Sequence, residues 1–420
     1  MRIAAPQTAT FFMNQTTERM APARREDGLA KVRETTLKLL SYCEANDWAG
    51  YDPYDALNSR LFSLLPFLNF KPFRLVLTQG LKRSPVNLRP LLLIPRTHNA
   101  KGLALFLPAL LKLSRLGLLE EPGLVGRMAD RLVALRSGDS PYWCWGYNFA
   151  WQTRGVLVPR SSPNIICTTF AANALLDVYE TSGESRFLDM AVSAAEFILK
   201  VLYSEDSGSD ACFSYTPLGR SQVHNANLLG AAFLCRVSKE TGDKSWLEPA
   251  LKATRFSVSK QYGDGAWDYG ELPTQRWKDN FHTGFNLCAL RAIGRNAETT
   301  EFERSIRRGL EYYLKHFFEP DGAPKYFHNR TYPIDVHSVA QSIITLLAFK
   351  DLDEENVALA GRVFRWAMAN MWNDRGYFYF QKLPHYTVKI PYMRWGQAWM
   401  LLALATLLEE GDARATEPTS

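Results

Sequence analysis

Apolar positions in this chain follow two alternating patterns. A short block, polar at its start and apolar after one turn, occurs five times: TTFAANALL, HNANLLGAA, HTGFNLCAL, HSVAQSIITLL and RWGQAWMLLAL, led by Thr169, His224, His282, His337 and Arg394. The leads stand 55, 58, 55 and 57 residues apart, and each block sets an amide one turn in: Asn173, Asn227, Asn286, Gln341 and Gln397. Between blocks, apolar residues recur at i, i+3, i+4 and i+7 over 185–203, 244–262, 301–317 and 355–371, the spacing of one buried helix face. Each of these stretches leads to a glycine (Gly208, Gly265, Gly322, Gly376), with steps of 57, 57 and 54. Two independent markers sharing one period describe a stacked helix–turn–helix unit. The glycines mark helix ends, and the aromatic runs after them (FSY, WDYG, KYF, YFYF) predict short extended pieces.

A sixth copy begins at His98 with HNAKGLALFLPALLKL, followed by a predicted helix over 122–136 and by Gly138. It precedes its counterparts by 71 and 70 residues, which places an insertion of about 14 residues in the aromatic stretch 141–162. A helix near 28–46 supplies the remaining outer partner. Six inner and six outer helices predict an all-α (α/α)6 toroid over 28–410, with short β pieces at its mouth. Residues 1–27 and 411–420 read as loose tails.

Composition narrows the class. Hydrophobic residues make up 46% of the 420, ample for one large core. No apolar run reaches spanning length, and residues 1–27 lack the apolar middle of a signal peptide. The six cysteines are scattered without a CxxC pair, and Cys167, Cys235 and Cys288 sit in apolar helical contexts. A reducing, cytoplasmic setting is expected. Charge is uneven: Lys and Arg outnumber Asp and Glu thirteen to three between 60 and 136, although the whole chain is only +6. Within that segment, LFSLLPFLNFKPFRLVLTQGLKR mixes bulky apolar residues with four cations. It reads either as an element packed on the base of the toroid or as a peripheral contact, through 60–90, with an anionic inner-membrane surface or a lipid-linked phosphate. No nucleic-acid module or long basic arm is present.

In a toroid the starts of the inner helices converge on one mouth, and the residues there are chemically rich. They include Trp143, Trp145, Tyr147, Trp151 and Arg154; His224, Asn225 and Asn227; and Trp267, Asp268, Tyr269, Glu271, Trp277, Asp279, Asn280 and His282. Further copies contribute Tyr326, His328, Asn329, Tyr332, Asp335 and His337, then Tyr377, Tyr379, His385, Tyr386, Tyr392, Arg394 and Trp395. Six of the seven histidines fall in these segments or at His98; His316 alone lies on an outer helix. Flat aromatics beside amides, carboxylates and Arg suit sugar rings, which stack their C–H faces and hydrogen-bond their hydroxyls. The block amides read as architectural, because a buried amide needs partners. His282 and His337 follow Asp279 and Asp335 by three and two residues, and a nearby carboxylate orients an imidazole for proton transfer. Asp268, Glu271 and Asp279 read either as an acid–base set for hydrolysis or as turn and cap residues.

Over 28–410 the chain resembles the (α/α)6 toroids of carbohydrate-active enzymes: six-hairpin glycosidases, sugar 2-epimerases, toroidal polysaccharide lyases and the helical domain of glucuronyl C5-epimerases. Through SPYWCWGYNFAWQTR, VHNANLLGA, DNFHTGFNLCAL and YPIDVHSVAQSI it is also similar to a family encoded in bacterial exopolysaccharide loci, which implies surface-glycan assembly. QYGDGAW, from Gln261 to Trp267, matches the QxxxGxW motif of terpene cyclases without their DxDD acid motif, and reads as a helix-end stacking device. YWCWGYN resembles the zinc-site stretch of lanthionine cyclases, but no Cys-His pair follows. No metal and no cofactor are expected.

These readings favour an enzyme acting on an acidic polysaccharide or lipid-linked glycan by proton abstraction alpha to a uronate, as in C5-epimerisation or elimination. Expected bases are His224, His282 and His337, with Tyr269 or Tyr326 on the opposite face, while Asp268, Glu271 or Asp279, with a partner such as Asp335, would serve the hydrolytic alternative. Expected binding residues are Trp145, Arg154, Asn225, Trp267, Trp277, Tyr326, His328, Asn329, Asp335, Arg394 and Trp395, with Arg394 or Arg154 holding the carboxylate. Hydrolysis by paired carboxylates and a non-catalytic glycan-binding or scaffold role stand as alternatives.

Overall fold

The structure, a computed structural model, describes residues 22–153, 155–205 and 211–416. Inner helices α4 (Ala100–Arg115), α6 (Ile165–Ser182), α8 (His224–Thr241), α10 (Asn280–Asn296), α12 (Val336–Ala348) and α14 (Trp399–Thr416) form a ring. Each touches the next, and α14 returns to α4. Outside them lie α5 (Leu124–Ala134), α7 (Ser185–Phe197), α9 (Leu247–Ser259), α11 (Glu303–His316), α13 (Glu355–Met371) and α1 (Pro22–Ala45), the last packing on α14 and so joining the two ends of the chain. This is the closed (α/α)6 ring that the period predicts. Helices α1 and α14 reach into both segments read as tails, since α1 starts at Pro22 and α14 runs to Thr416.

Short strands cluster at the helix starts. The insertion in the first long connection is a hairpin, β1 (Trp151–Gln152) with β2 (Leu157–Val158). Strands β3 (Tyr203–Glu205) and β4 (Ala211–Phe213) precede α8. Strand β5 (Ile334–Asp335) pairs with β8 (Gln381–Lys382), which pairs with β9 (Thr387–Val388), while β6 (Trp372–Asn373) and β7 (Tyr377–Phe378) follow α13. Two block amides serve these pieces, in line with an architectural role. Asn227 accepts from the Phe213 N–H at 2.9 Å, and Gln397 accepts from the Phe378 N–H and donates to its carbonyl, both at 2.9 Å.

The repeat glycines do more than end helices. Gly265 has φ 94°, and a Cβ there would lie 2.1 Å from the Arg308 carbonyl oxygen on α11. Gly322 and Gly376 approach Arg362 of α13 and Lys38 of α1 in the same way. Each glycine therefore seats one hairpin against the next outer helix, a close approach that a side chain would block. Gly208 lies outside the described residues. The QxxxGxW segment belongs to this device: Gln261 donates to the carbonyls of Gly265 (2.9 Å) and Ser305 (3.0 Å) and accepts from Ser305 and Arg308, while the buried Trp267 indole packs on Gly309.

The lumen is filled. Phe170, Phe285 and Trp399 meet with ring centroids 5.4–6.1 Å apart. The Lys101 ammonium lies over all three rings, 4.5 Å from Phe170, 5.2 Å from Trp399 and 5.5 Å from Phe285. Lys101 is 3% exposed. Burial first, and then Arg394, hold its pKa down to about 7.

Segment 60–93 departs from the expected packing on the base of the toroid. Helices α2 (Arg60–Ser63) and α3 (Lys71–Arg83) form an excursion with its own small core of Ala56, Leu81 and Ile94. It lies on the mouth side, where Lys82 of α3 donates to the Tyr54 hydroxyl at 2.6 Å and sits 5.9 Å from the Trp395 ring.

Two outcomes are expected in thermal melts. Gly265→Ala destabilises by at least ~2 kcal/mol, because positive φ and a backbone clash add, whereas Gly138→Ala, where a Cβ meets nothing within 4 Å, changes stability by less than about 0.5 kcal/mol. For Lys101, folding depresses the pKa, so the unfolded chain binds more protons between about pH 7 and 10.5. Its contribution to stability therefore rises with pH across that window, by up to about 1.4 kcal/mol per unit. Lys101→Met removes that rise and melts higher at pH 7.

Candidate active site

Four inner helices open with a side-chain cap, and the caps decide which imidazoles gain a carboxylate. Asn99 and Asn164 cap α4 and α6; Asp279 and Asp335 cap α10 and α12. Counting from the cap, His282 is the third helical residue. From there a side chain folds back onto the cap, as in a capping box. Asp279 Oδ1 accepts from the His282 backbone N–H (3.0 Å), while Oδ2 meets His282 Nδ1 at 2.7 Å. The Trp277 indole also donates to Oδ2, at 3.0 Å. His282 Nε2 makes no protein hydrogen bond among the described residues, and its side chain is 22% exposed.

His337 is only the second residue after its cap, one residue and about 100° of rotation short of that geometry. Asp335 takes its backbone N–H and the Trp395 indole N–H, at 2.9 and 2.8 Å. The imidazole turns into the lumen instead. There it stacks between Phe281 and Trp399, with centroids at 4.4 and 4.5 Å, and neither ring nitrogen has a partner. Burial, then Lys101, pushes its pKa well below the ordinary range, so it is neutral and walled off by rings. Burial raises the Asp335 carboxyl to about 6.

A second imidazole–carboxylate pair stands beside the first. His224 Nε2 meets Glu271 Oε1 at 2.9 Å and Nδ1 faces the Ser257 hydroxyl at 3.2 Å. The hydrogen bond from His224 draws the Glu271 pKa below the usual carboxylate range.

A narrow crevice between the starts of α8 and α10 gathers Asn225, Trp267, Asp268, Tyr269, Trp277, Asp279, His282, Thr283 and Asn286. As it stands it is too tight to admit a water molecule. Tyr269 stacks on Trp277 at 4.6 Å and touches His282 at 4.5 Å. Burial, then Tyr215 and Asp279, pushes its phenol well above the ordinary range, so at neutral pH it stays a neutral phenol. Tyr326 is raised by the same causes, burial first and then Asp279. The side-chain oxygens of Asn225 and Asn286 are buried here without a partner.

Several expected residues are placed elsewhere. Trp145 is fully buried in the core, its indole donating to the Leu132 carbonyl at 2.9 Å, so it has no sugar face to offer. The Trp267 indole is likewise committed, to Ser257 at 2.9 Å. Arg394 is buried and bidentate to Asp52, at 2.5 and 2.8 Å, so it is not free to hold a carboxylate. His328 is half-buried against the Lys278 carbonyl and Asn329 is exposed. Arg154 lies outside the described residues. Arg96, His98 and Arg160 line a separate open cavity of about 370 Å³. Asp268 binds Lys278 at 2.7 Å and Tyr262 at 2.8 Å.

Sequence reasoning passed over three residues: Tyr215, whose hydroxyl lies 3.4 Å from that of Tyr147, Lys82 and Lys101. Only Tyr215 carried a signal, as the counterpart of Tyr269 and Tyr326 in the aromatic runs. Among the described residues, no three His, Cys, Asp or Glu side chains gather as a metal-ligating set.

No protein-family model matches the chain, and no curated protein matches it in sequence. Solved structures do. The unsaturated glucuronyl hydrolase specific for heparin aligns with a TM-score of 0.62 at 11% identity, over 94% of this chain and 100% of its own. Cellobiose 2-epimerase from Bacillus thermoamylovorans gives 0.59 at 12%, over 75% and 88%. A GH76 α-mannanase from Bacteroides thetaiotaomicron gives 0.55 at 12%, over 76% and 88%. At these identities the likeness is one of fold, and this chain is similar to these proteins as one (α/α)6 toroid is to another.

Proposed function

We propose that the protein is a glycan-acting enzyme of bacterial surface-polysaccharide production that moves a proton alpha to the carboxylate of a uronate, as a C5-epimerase or lyase. The observation that carries this reading is the His282–Asp279 pair, with Nδ1 held at 2.7 Å by a carboxylate and Nε2 left without a protein partner. Such an imidazole is oriented and tautomerically fixed for proton abstraction. On this reading Tyr269, a neutral phenol whose ring touches that of His282, returns the proton to the sugar or to a leaving oxygen. Lys82 at the mouth, with no carboxylate in ion-pair range among the described residues, takes over from Arg394 as the cation for the uronate and the charge that develops beside it. The unpartnered oxygens of Asn225 and Asn286 are acceptors for sugar hydroxyls, since a buried polar atom without a partner costs roughly 1–3 kcal/mol and a ligand relieves it. Admission of a sugar ring requires the 269–277 segment to swing out, because the crevice is closed.

Hydrolysis finds less support. Asp268, Asp279 and Asp335 have both carboxylate oxygens bonded within the protein. Glu271, bonded among the described residues through Oε1 alone, therefore has no free partner among them to make the carboxylate pair that hydrolysis needs. The link to surface polysaccharide rests on the four sequence segments named above, and the fold comparisons support a glycan substrate in general.

The test is incubation with uronic-acid polymers in D₂O. Deuterium at C5 or absorbance from a new double bond is expected, and new reducing ends without either would replace this reading by hydrolysis. None of the three would favour the scaffold. Asp279→Asn keeps a competent helix cap but loses the carboxylate, so turnover is expected to fall by about 100-fold or more, and the Trp277 indole N–H left facing an amide NH2 lowers stability by about 1–3 kcal/mol. His282→Asn should match the fall in turnover.

A further inference from the structure

The excursion 60–93 concentrates exposed apolar bulk. Ten of the large hydrophobic side chains that face solvent lie in it: Leu64, Phe67 and Leu91 are 73–74% exposed, Val76 and Val86 more than 60%, and Leu61, Leu65, Phe70, Leu88 and Leu93 between 38% and 50%. Next to it, where Arg74 donates to Gln152 at 2.9 Å, the β1–β2 hairpin exposes Val156 and Leu157 as well. Isolated apolar residues on a surface are ordinary, but a concentration of this kind marks a contact surface.

Charge distinguishes the partner. From Ala56 to Leu119 the chain has no Asp or Glu, yet Arg60, Lys71, Arg74, Lys82 and Arg83 lie within the excursion. Apolar side chains interleaved with cations, without a single acid, match an anionic lipid interface: the apolar groups enter the acyl boundary and the cations meet headgroups. An obligate protein interface instead depletes charge at its centre. The base of the excursion is tied into the toroid by buried bonds. Arg89 is fully buried, bonded to Asp55 at 2.7 Å and to the Asp52 carbonyl at 2.8 Å, and Ser59 is bonded to the Leu92 carbonyl at 2.7 Å. The apolar tip is therefore presented by a fixed stem and not by a free tail. Among the described residues no helix is long and apolar enough to cross a membrane.

We infer that residues 60–93 dock the protein on an anionic lipid bilayer with the mouth of the toroid turned toward it. The orientation follows from Lys82, which belongs to α3 yet lies against Tyr54 and Trp395 at the mouth. Docking thus brings the crevice to headgroup level, where a lipid-linked glycan would be met. The inference is independent of the proposed reaction, since binding is measured without substrate.

The experiment is co-sedimentation of the full chain with phosphatidylglycerol–phosphatidylcholine vesicles against pure phosphatidylcholine vesicles, at low and high salt. Binding is expected only to the anionic vesicles, weakening with salt. A Leu64→Ser/Phe67→Ser/Leu91→Ser variant, whose three side chains are largely exposed and whose fold is checked by its melting curve, should bind at least tenfold more weakly. Arg60→Glu/Arg83→Glu should weaken binding by a similar factor. A Phe67→Trp variant places a reporter at the tip, and brominated lipid should quench its added emission. Absence of binding to anionic vesicles at low salt, or equal binding by the triple variant, overturns the inference. So does a wild-type dimer in light scattering that the triple variant converts to monomer, since the patch would then serve a second copy of the chain.

Discussion

A ring of hairpins closes only where its last inner helix meets its first, and here, besides the packing of α14 on α4 and the pairing of Glu409 with Lys112 and Arg115, a buried ion pair ties the seam to the start of the chain. Arg394, at the start of the final inner segment, grips Asp52 with two bonds from the chain that links α1 to α4. Around it the backbones press close. A Cβ on Gly50 would lie 2.6 Å from Met393 Cβ, and the Met393 N–H donates to the Tyr51 carbonyl at 3.2 Å. Arg89–Asp55 extends the network to the stem of the excursion. Removing one partner of such a pair costs about 3–5 kcal/mol, because the other is left charged and dry. The pair thereby accounts for what is near it. Asp52 is spent on Arg394, so Lys101 faces a guanidinium without an anion of its own and depends on aromatic faces. A lysine buried at such a cost in the lumen contradicts the local rules for a stable core.

Much of the architecture was legible because it rests on periodicity. Two markers with one period predict six hairpins, and the observed helices fall on them: α13 covers the stretch expected at 355–371. The insertion near 141–162 is the β1–β2 hairpin. The role of Gly265 was harder to read. A glycine after a helix signals its end, but nothing local says that its bare Cα meets Arg308 on the neighbouring outer helix.

The site was legible in part, and the misses have a common cause. Sequence spacing identifies the segments that converge but not where each side chain turns. Asp279 and His282 could be paired from their spacing, since three residues after a cap is the position that reaches back. The same logic, applied strictly, would have separated His337 from Asp335. Trp145 and Trp277 look alike in sequence, yet one donates to a carbonyl in the core and the other to the Asp279 carboxylate. Lys101 and Lys82 were passed over because a lysine in a basic, apolar stretch reads as a solvated charge. Burial in one case, and the fold of the excursion in the other, bring them to the lumen and the mouth.

The two imidazole–carboxylate pairs differ in what anchors them, and that difference bears on how the crevice can open. Asp279 and His282 both belong to the first turn of α10, a helix held on two sides by α8 and α12. Glu271 and Trp277 come from the connection before it, which carries an exposed Leu272 and only a short turn over Pro273–Gln275. Outward movement of that connection breaks His224–Glu271 and frees the Trp277 indole from Asp279. It leaves the His282–Asp279 bond untouched, because a helix cap moves only with its helix. On the proposed reading His282 would therefore keep its geometry whether or not the connection moves. The Tyr269–Trp277 stack is then the wall that must open, against the His224 N–H to Tyr269 carbonyl and Glu271 N–H to Gln222 carbonyl bonds, both 3.1 Å, that tie it to the start of α8. Tyr269 thus takes up its place as donor only on closure, while the proposed base stays with α10.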